Sequence, residues 1–325
     1  MSIGITMGDP NGVGPEIILK AYGDNQLPED SFVIGDLSAL QLCCDTLGFK
    51  VNFNVSRNMP EIAAGALNVL DMGLLDRGDI TPGVISEKAG RASYEYVVLA
   101  VRLALEGKIS AMVTLPVNKE AVSISHPGFT GHTELIAGIC NQKDYTMMLS
   151  SEKLSVTHVT THVSMVEAIE LIKCERVYKV IKLTNEALAS YTDSPRIAVA
   201  GFNAHAGEHG LFGSEEVNEI MPAVDKARGE GINITGPVPP DTVFLRASRG
   251  EFDAVVCMYH DQGHIPMKLL DFEGGVNITL GLPIVRTSVD HGTAFDIAYK
   301  GKASTKSLIS AISFALKMTG AKKSP

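Results

Sequence analysis

Short β-branched or apolar runs alternate with longer segments of helical period along most of this chain. Parallel strands need a crossover between them, so the alternation predicts an α/β fold with a largely parallel sheet. Strands are expected over 3–7, 32–35, 66–70, 111–115, 196–201, 254–258 and 284–287, and the clearest helices over 87–106, 164–173, 176–190, 214–228 and 306–318. Pro15 and Glu16 mark one helix start, and Ser214 before Glu215 and Glu216 marks another. One region departs from the alternation: two apolar runs, 145–149 and 154–160, flank the polar Ser150-Ser151-Glu152-Lys153 and predict an antiparallel hairpin. A length of 325 residues favours two domains. No repeat or linker marks their border, and the division expected is 1–125 with 285–325 against 126–284.

Composition removes several classes of function. An apolar fraction of 45% against 20% charged residues excludes a disordered chain. With 28 basic against 37 acidic residues the net charge is −9, so non-specific binding to nucleic acid or anionic lipid would work against the field. A local basic pocket for a small anion remains open. Five cysteines, Cys43, Cys44, Cys140, Cys174 and Cys257, contain no C-x-x-C pair and spell neither a disulfide framework nor a cysteine zinc cage. No run reaches 18 apolar residues and the first residues carry no basic leader, so the expectation is a cytoplasmic protein without a membrane partner.

Gly8-Asp9-Pro10-Asn11-Gly12-Val13-Gly14-Pro15 follows the first strand, where a dinucleotide fingerprint would sit. G-x-G-x-x-G begun at Gly12 needs glycine at 17, and Ile17 stands there. The segment reads as a glycine-rich strand-to-helix turn, or as a loop whose N–H groups face an anion. Nine histidines include three H-x-x-x-H pairs: His158/His162, continuing a strand, and His205/His209 and His260/His264, both in glycine-containing loops. None reads as helical, so a metal site would take one imidazole from each of three strand ends, with Asp261 and Glu208 placed to orient them; the alternative is surface or hydrogen-bonded histidines and solvated carboxylates. Lys268, Asn277 and Arg286 carry the groups that bind a phosphate monoester, unless they are unrelated surface residues. Around Gly292, the 288–296 passage either lets backbone approach a ligand or is a helix start capped by Thr293. No G-x-S-x-G elbow supports acyl transfer.

Taken together, several segments resemble the 4-hydroxythreonine-4-phosphate dehydrogenases. They are Gly8 to Glu16, Gly131-His132-Thr133-Glu134, Thr161-His162, Asn203-Ala204-His205-Ala206-Gly207-Glu208, Pro240-Asp241-Thr242, Tyr259-His260-Asp261-Gln262-Gly263, Gly275 to Gly281 and Arg286 to Ala294. The resemblance implies a two-domain α/β/α fold similar to that of isocitrate and isopropylmalate dehydrogenases. It also implies a homodimer with its active site at the subunit interface, a divalent metal (zinc, magnesium or cobalt), and NAD or NADP. Carried over by motif, His162, His205 and His260 would bind the metal, and His132, Thr133, Lys268, Asn277 and Arg286 the phosphorylated substrate. His291-Gly292-Thr293-Ala294 is similar to the adenosine-binding loop of the β-decarboxylating dehydrogenases. Asp241, Asp261 and Lys119 are candidates for the general base.

The family oxidises the C3 hydroxyl of a 4-phosphorylated four-carbon acid, and the β-keto acid then loses carbon dioxide. Two departures stand out. Ala204 replaces the usual proline after asparagine, and His264-Ile265-Pro266 resembles relatives acting on 4-phospho-D-threonate or 4-phospho-D-erythronate. A third branch oxidises dihydrodiols of aromatic acids; Lys268, Asn277 and Arg286 favour a phosphorylated substrate instead. The rival from another class is a non-redox phospho-ligand-binding or acyltransferase protein.

Overall fold

The computed structural model of the chain describes residues 2–320, and these divide into two compact units. In chain order the first unit supplies β1 (Ile3–Thr6), α1 (Gly14–Gly23), β2 (Ser31–Gly35), α2 (Leu37–Leu47), β3 (Phe53–Ser56), β4 (Leu67–Asp71), α3 (Glu87–Leu105), β5 (Ala111–Thr114), α4 (Lys119–Ser125) and α5 (His132–Ile139). The second unit, Asp144–Gly281, holds β6 (Thr146–Ser150), β7 (Ser155–His158), α6 (Met165–Leu171), α7 (Cys174–Ala189), β8 (Ile197–Ala200), α8 (Met221–Gly229), β9 (Ile234–Val238), α9 (Pro240–Ser248), β10 (Ala254–Cys257), α10 (His260–Leu270) and β11 (Val276–Leu280). The chain then re-enters the first unit as β12 (Val285–Val289) and α11 (Lys306–Met318).

In the first unit the strands run β3-β4-β2-β1-β5-β12, every pair parallel. β1, β2 and β5 are buried at every position, as expected of parallel strands covered on both faces. Their continuous Val, Ile and Met content made them legible. Helices α3 and α11 pack along these strands and bury Val97, Val101, Leu308 and Ile312. α1 begins with Pro15 in its first turn; Glu16, fully buried beside it, accepts the N–H groups of Gly301 and Ala303. α4 and α5 pack on α3, so 126–143, expected in the second body, belongs to the first.

In the second unit the order is β11-β6-β7-β10-β8-β9. β6 and β7 form the expected antiparallel hairpin, with Met148 opposite Thr157, and β11 adds antiparallel to β6; β7, β10, β8 and β9 are parallel. α7 buries Val177, Val180, Ile181 and Leu188 on one stripe against Val199, Val224 and Val256. Ser164 caps α6 as a helix start should, its Oγ accepting the Glu167 N–H. Ser214 does not cap: the chain opens with one π turn, Glu216–Ile220, before α8.

Two readings of the histidine pairs need correction. α10 starts at His260, so His260 and His264 share one helical face, because Asp261 and Gln262 open the helix directly after β10. β7 stops at His158, which leaves His162 in the following loop. Among the described residues no helix is long and apolar enough to cross a membrane.

Candidate active site

Chemistry-bearing side chains gather at strand ends in each unit, as open α/β sheets dictate. In the first unit β12 carries Arg286, 2% exposed, whose guanidinium donates to Thr114 Oγ1 at the end of β5 (2.9 Å). Burial pushes its pKa down to about 10 while Glu134 holds it up, so it remains a cation at neutral pH. His132 and Thr133 open α5, and Lys119 opens α4. Glu134 and Lys119 both reach Gly131: a Cβ there would lie 3.0 Å from Glu134 Oε2 and 3.6 Å from Lys119 Nζ. Burial, then the charges of Arg286 and Lys119, push His132 down to about 3, so its imidazole is neutral. Its enclosed Nε2 meets no hydrogen-bond partner among the described residues. A neutral imidazole between two cations, with one nitrogen unsatisfied, is a recess for an oxygen-rich anion.

The β1–α1 turn of the same unit is clasped to the 290–298 segment. Val13 N–H donates to the Thr293 carbonyl (3.0 Å), while Asn11 accepts Thr81 N–H at Oδ1 (2.9 Å) and donates from Nδ2 to the Val84 carbonyl (2.8 Å). The glycines serve close packing: Gly8 has φ +74 with Pro116 O 2.4 Å from where a Cβ would sit, and a Cβ on Gly14 would lie 2.0 Å from Met7 O. Thr293 caps nothing; the short turn Phe295–Ile297 starts from Ala294 in the left-handed region. His291 and Gly292 are exposed, with open space where a Gly292 Cβ would be.

Asp9 in this turn was not singled out by sequence. Burial raises its carboxyl to about 6, against the backbone N–H groups of Asn11 and Asn118, which lower it. A carboxyl whose folded pKa lies above its unfolded one stabilises fully below about pH 4 and loses that contribution as pH rises through about 6. Asp9→Asn is therefore expected to melt above the wild type at pH 8, by up to about 3 kcal/mol, with the difference vanishing towards pH 4. Melting curves at the two pH values check it; a pH-independent difference would refute it.

In the second unit, the segment after β7 is tied to the end of β10: Val159 N–H donates to the Cys257 carbonyl and Thr160 Oγ1 to that of Met258. This brings His162 to His260, ring centroids 5.8 Å apart, on a cavity of about 510 Å³ also lined by Thr161, Tyr259 and Asp261. Two imidazoles on one zinc-sized ion have centroids at most about 6.4 Å apart, and the His162–His260 separation lies within that reach. His260 Nδ1 lies 2.7 Å from Asp261 Oδ1; assigning the proton to Nδ1 leaves Nε2 as the donor atom. His264 stacks on His260 at 3.6 Å, and His158 lies beyond it, 4.8 Å from His264. Burial, with His264 and His260 adding to it, pushes His158 down to about 3.

His205 is not part of this row. Its ring neighbours Phe212, and among the described residues no three His, Cys, Asp or Glu side chains gather at metal-holding distance. Its segment is strained: His205, Ala206, Glu208 and His209 are left-handed with Gly207, at a cost of about 1–2 kcal/mol for each non-glycine residue. Asn277 donates to Met147 Sδ, and its buried Oδ1 meets no partner among the described residues. Lys268 Nζ sits 5.2 Å from the Phe272 ring centre. Asp241 is exposed in the first turn of α9. Thr114 and Glu134, which frame Arg286, were missed; Glu134 stands inside a quoted motif, whereas Thr114 gave no signal beyond ending a strand.

The chain has the two-unit α/β architecture of a β-decarboxylating dehydrogenase from Thermococcus kodakarensis, on which it superposes with a TM-score of 0.50 over 98% of this chain and 84% of the other, at 14% identity, a likeness of architecture alone. Sequence narrows the likeness. The family model described as "Pyridoxal phosphate biosynthetic protein PdxA" matches residues 28–315, and the chain belongs to that family. It is 45% identical to the D-threonate 4-phosphate dehydrogenase of Salmonella typhimurium over 98% of each chain. A 4-hydroxythreonine-4-phosphate dehydrogenase structure from Klebsiella pneumoniae matches with TM-score 0.89 and 42% identity, over 98% of this chain and 99% of that one.

Proposed function

We propose that the chain oxidises the C3 hydroxyl of a 4-phosphorylated four-carbon hydroxy acid with NAD or NADP, the resulting β-keto acid then losing carbon dioxide. The observation that carries this reading is the neutral His132 imidazole enclosed with the Arg286 guanidinium and the Lys119 ammonium. Arg286, anchored through Thr114, takes the phosphate, and His132 donates or accepts one hydrogen bond without titrating at working pH. Thr133, Lys268 and Asn277 complete substrate recognition, the last through an oxygen that now lacks a donor.

When bound, a divalent ion held by His162, His260 and the His205 of one copy or its mate would supply Lewis acidity to the alcohol and to the ketone. A nicotinamide cofactor along His291, Gly292, Thr293 and Ala294 would supply the hydride acceptor. Asp261 is committed to His260 as its orienting partner; of the two other candidates, the Asp241 carboxylate can receive the hydroxyl proton directly, whereas the Lys119 ammonium would first have to give up its own. Exposed apolar side chains on the second unit, Val166, Leu211, Ile265, Leu269 and Phe272 among them, support a homodimer. Free thiols at all five cysteines support a reducing, cytoplasmic setting.

A second reading, 4-phospho-D-threonate or 4-phospho-D-erythronate as substrate, is favoured by His264 stacked on His260 at the segment that resembles that branch. Absorbance of NADH or NADPH with 4-(phosphooxy)-L-threonine and 4-phospho-D-threonate, metal supplied, tests both. Reduction with one or both is expected, none with the dephosphorylated acids, and the higher kcat/KM names the branch. No reduction with any phosphorylated four-carbon hydroxy acid would return the non-redox rival.

A further inference from the structure

His205 lies on five successive left-handed residues, and Ala204 gives that segment none of the stiffness a proline would. One side chain does most of the holding. Glu216 is 1% exposed; its Oε1 accepts the N–H groups of Phe202 and Asn203, each at 2.7 Å, and its Oε2 accepts Asn203 Nδ2 at 2.9 Å. Glu215 Oε2 takes a further bond from the same Asn203 Nδ2 (2.7 Å). The loop wraps so closely that a Cβ on Gly207 would sit 2.7 Å from Glu216 Oε2. Glu216 itself opens the π turn, a rare local geometry that recurs at functional sites.

We infer that Glu216 is a positioning residue for the metal ligand His205, its carboxylate fixing the strained loop so that the imidazole is presented in one orientation. The inference rests on the ligand role proposed for His205 above. A buried carboxylate receiving three hydrogen bonds from a two-residue stretch defines the path of that stretch, and His205 follows two residues later. The helix formers around it do not require an acid at a fully buried position, so the residue's chemistry is explained by the loop it grips rather than by its helix.

The test is Co(II) titration of the metal-stripped full-length protein, read by the d–d absorption of the bound ion. Glu216→Gln keeps the size but loses the charge and sets an amide N–H₂ against the Phe202 and Asn203 N–H groups or against Asn203 Nδ2; an affinity loss of about 10- to 100-fold is expected, with turnover restored at saturating Co(II). Asn203→Ala, which leaves the two backbone donors in place, is expected to show a smaller loss and decides the question if Glu216→Gln does not fold. Wild-type affinity in the deciding variant, even with a lowered Tm, overturns the inference provided His205→Ala binds Co(II) more weakly. Unchanged Co(II) affinity in His205→Ala overturns the ligand role itself, and the inference with it.

Discussion

Arg286→Ala is expected to lower kcat/KM for the phosphorylated substrate by roughly three orders of magnitude, about 4 kcal/mol, nearly all of it in KM. The side chain is 2% exposed and donates to Thr114, so truncation removes a preorganised cation from an enclosed place and leaves Thr114 Oγ1 and Glu134 without it. A phosphate that takes no part in bond breaking is bound equally in ground and transition states, which is why the loss falls on KM rather than kcat. Arg286→Lys should recover little, since an ammonium cannot offer two parallel N–H groups while keeping the Thr114 contact. A KM within twofold of the wild type for the phosphorylated substrate would take Arg286 out of its role.

His260→Ala is expected to lose bound metal and at least 10³-fold in turnover, about 4 kcal/mol or more of barrier. His264→Ala is the contrast. Both imidazoles stand on one face of α10 and stack at 3.6 Å, yet only His260 also faces His162 and has its Nδ1 committed to Asp261. His264 places its Nδ1 3.0 Å from the His260 carbonyl and packs towards the buried His158. Its removal should cost tenfold or less, with metal content near wild type. Elemental analysis of the two variants separates the assignments, because equal metal loss would make the helical pair, rather than His162 with His260, the binding unit.

Much of the scaffold was legible because buried parallel strands carry continuous apolar runs and their crossovers carry helical period: β1, β2, β4, β5, β8, β10 and β12 were found within one or two residues at most ends. β3, β9 and β11 were not. Phe53–Ser56 is half exposed and polar at alternate positions, Ile234–Val238 contains Gly236 and Pro237, and Val276–Leu280 is led by two glycines, so each lacks the signal that burial on two faces imposes. At the site, motif resemblance picked His132 and Arg286, which lie together, and His162 with His260, which do too. It gave no role to Asp9, although that residue stands inside the Gly8 to Glu16 segment, and did not touch Thr114 or Glu216; the importance of all three comes from burial and from groups elsewhere along the chain. The helical setting of His260 and His264 was misread because Gly263 and Pro266 weaken a helix on propensity, a cost that packing of Gly263 against His158 and Cys257 overrides.

The second unit is an insertion between β5 and β12, neighbours in one parallel sheet. A ribosome working at 5–20 residues per second therefore needs about 9–35 s to deliver Val285–Val289 after Ala111–Thr114 has emerged. Through that interval the apolar Ala-Met-Val-Thr ladder presents an uncovered flank, an invitation to a stray chain. The inserted body, contiguous in sequence, can mature first, and the earlier one is sealed only by the final forty residues: vectorial synthesis reverses the order in which the two are completed.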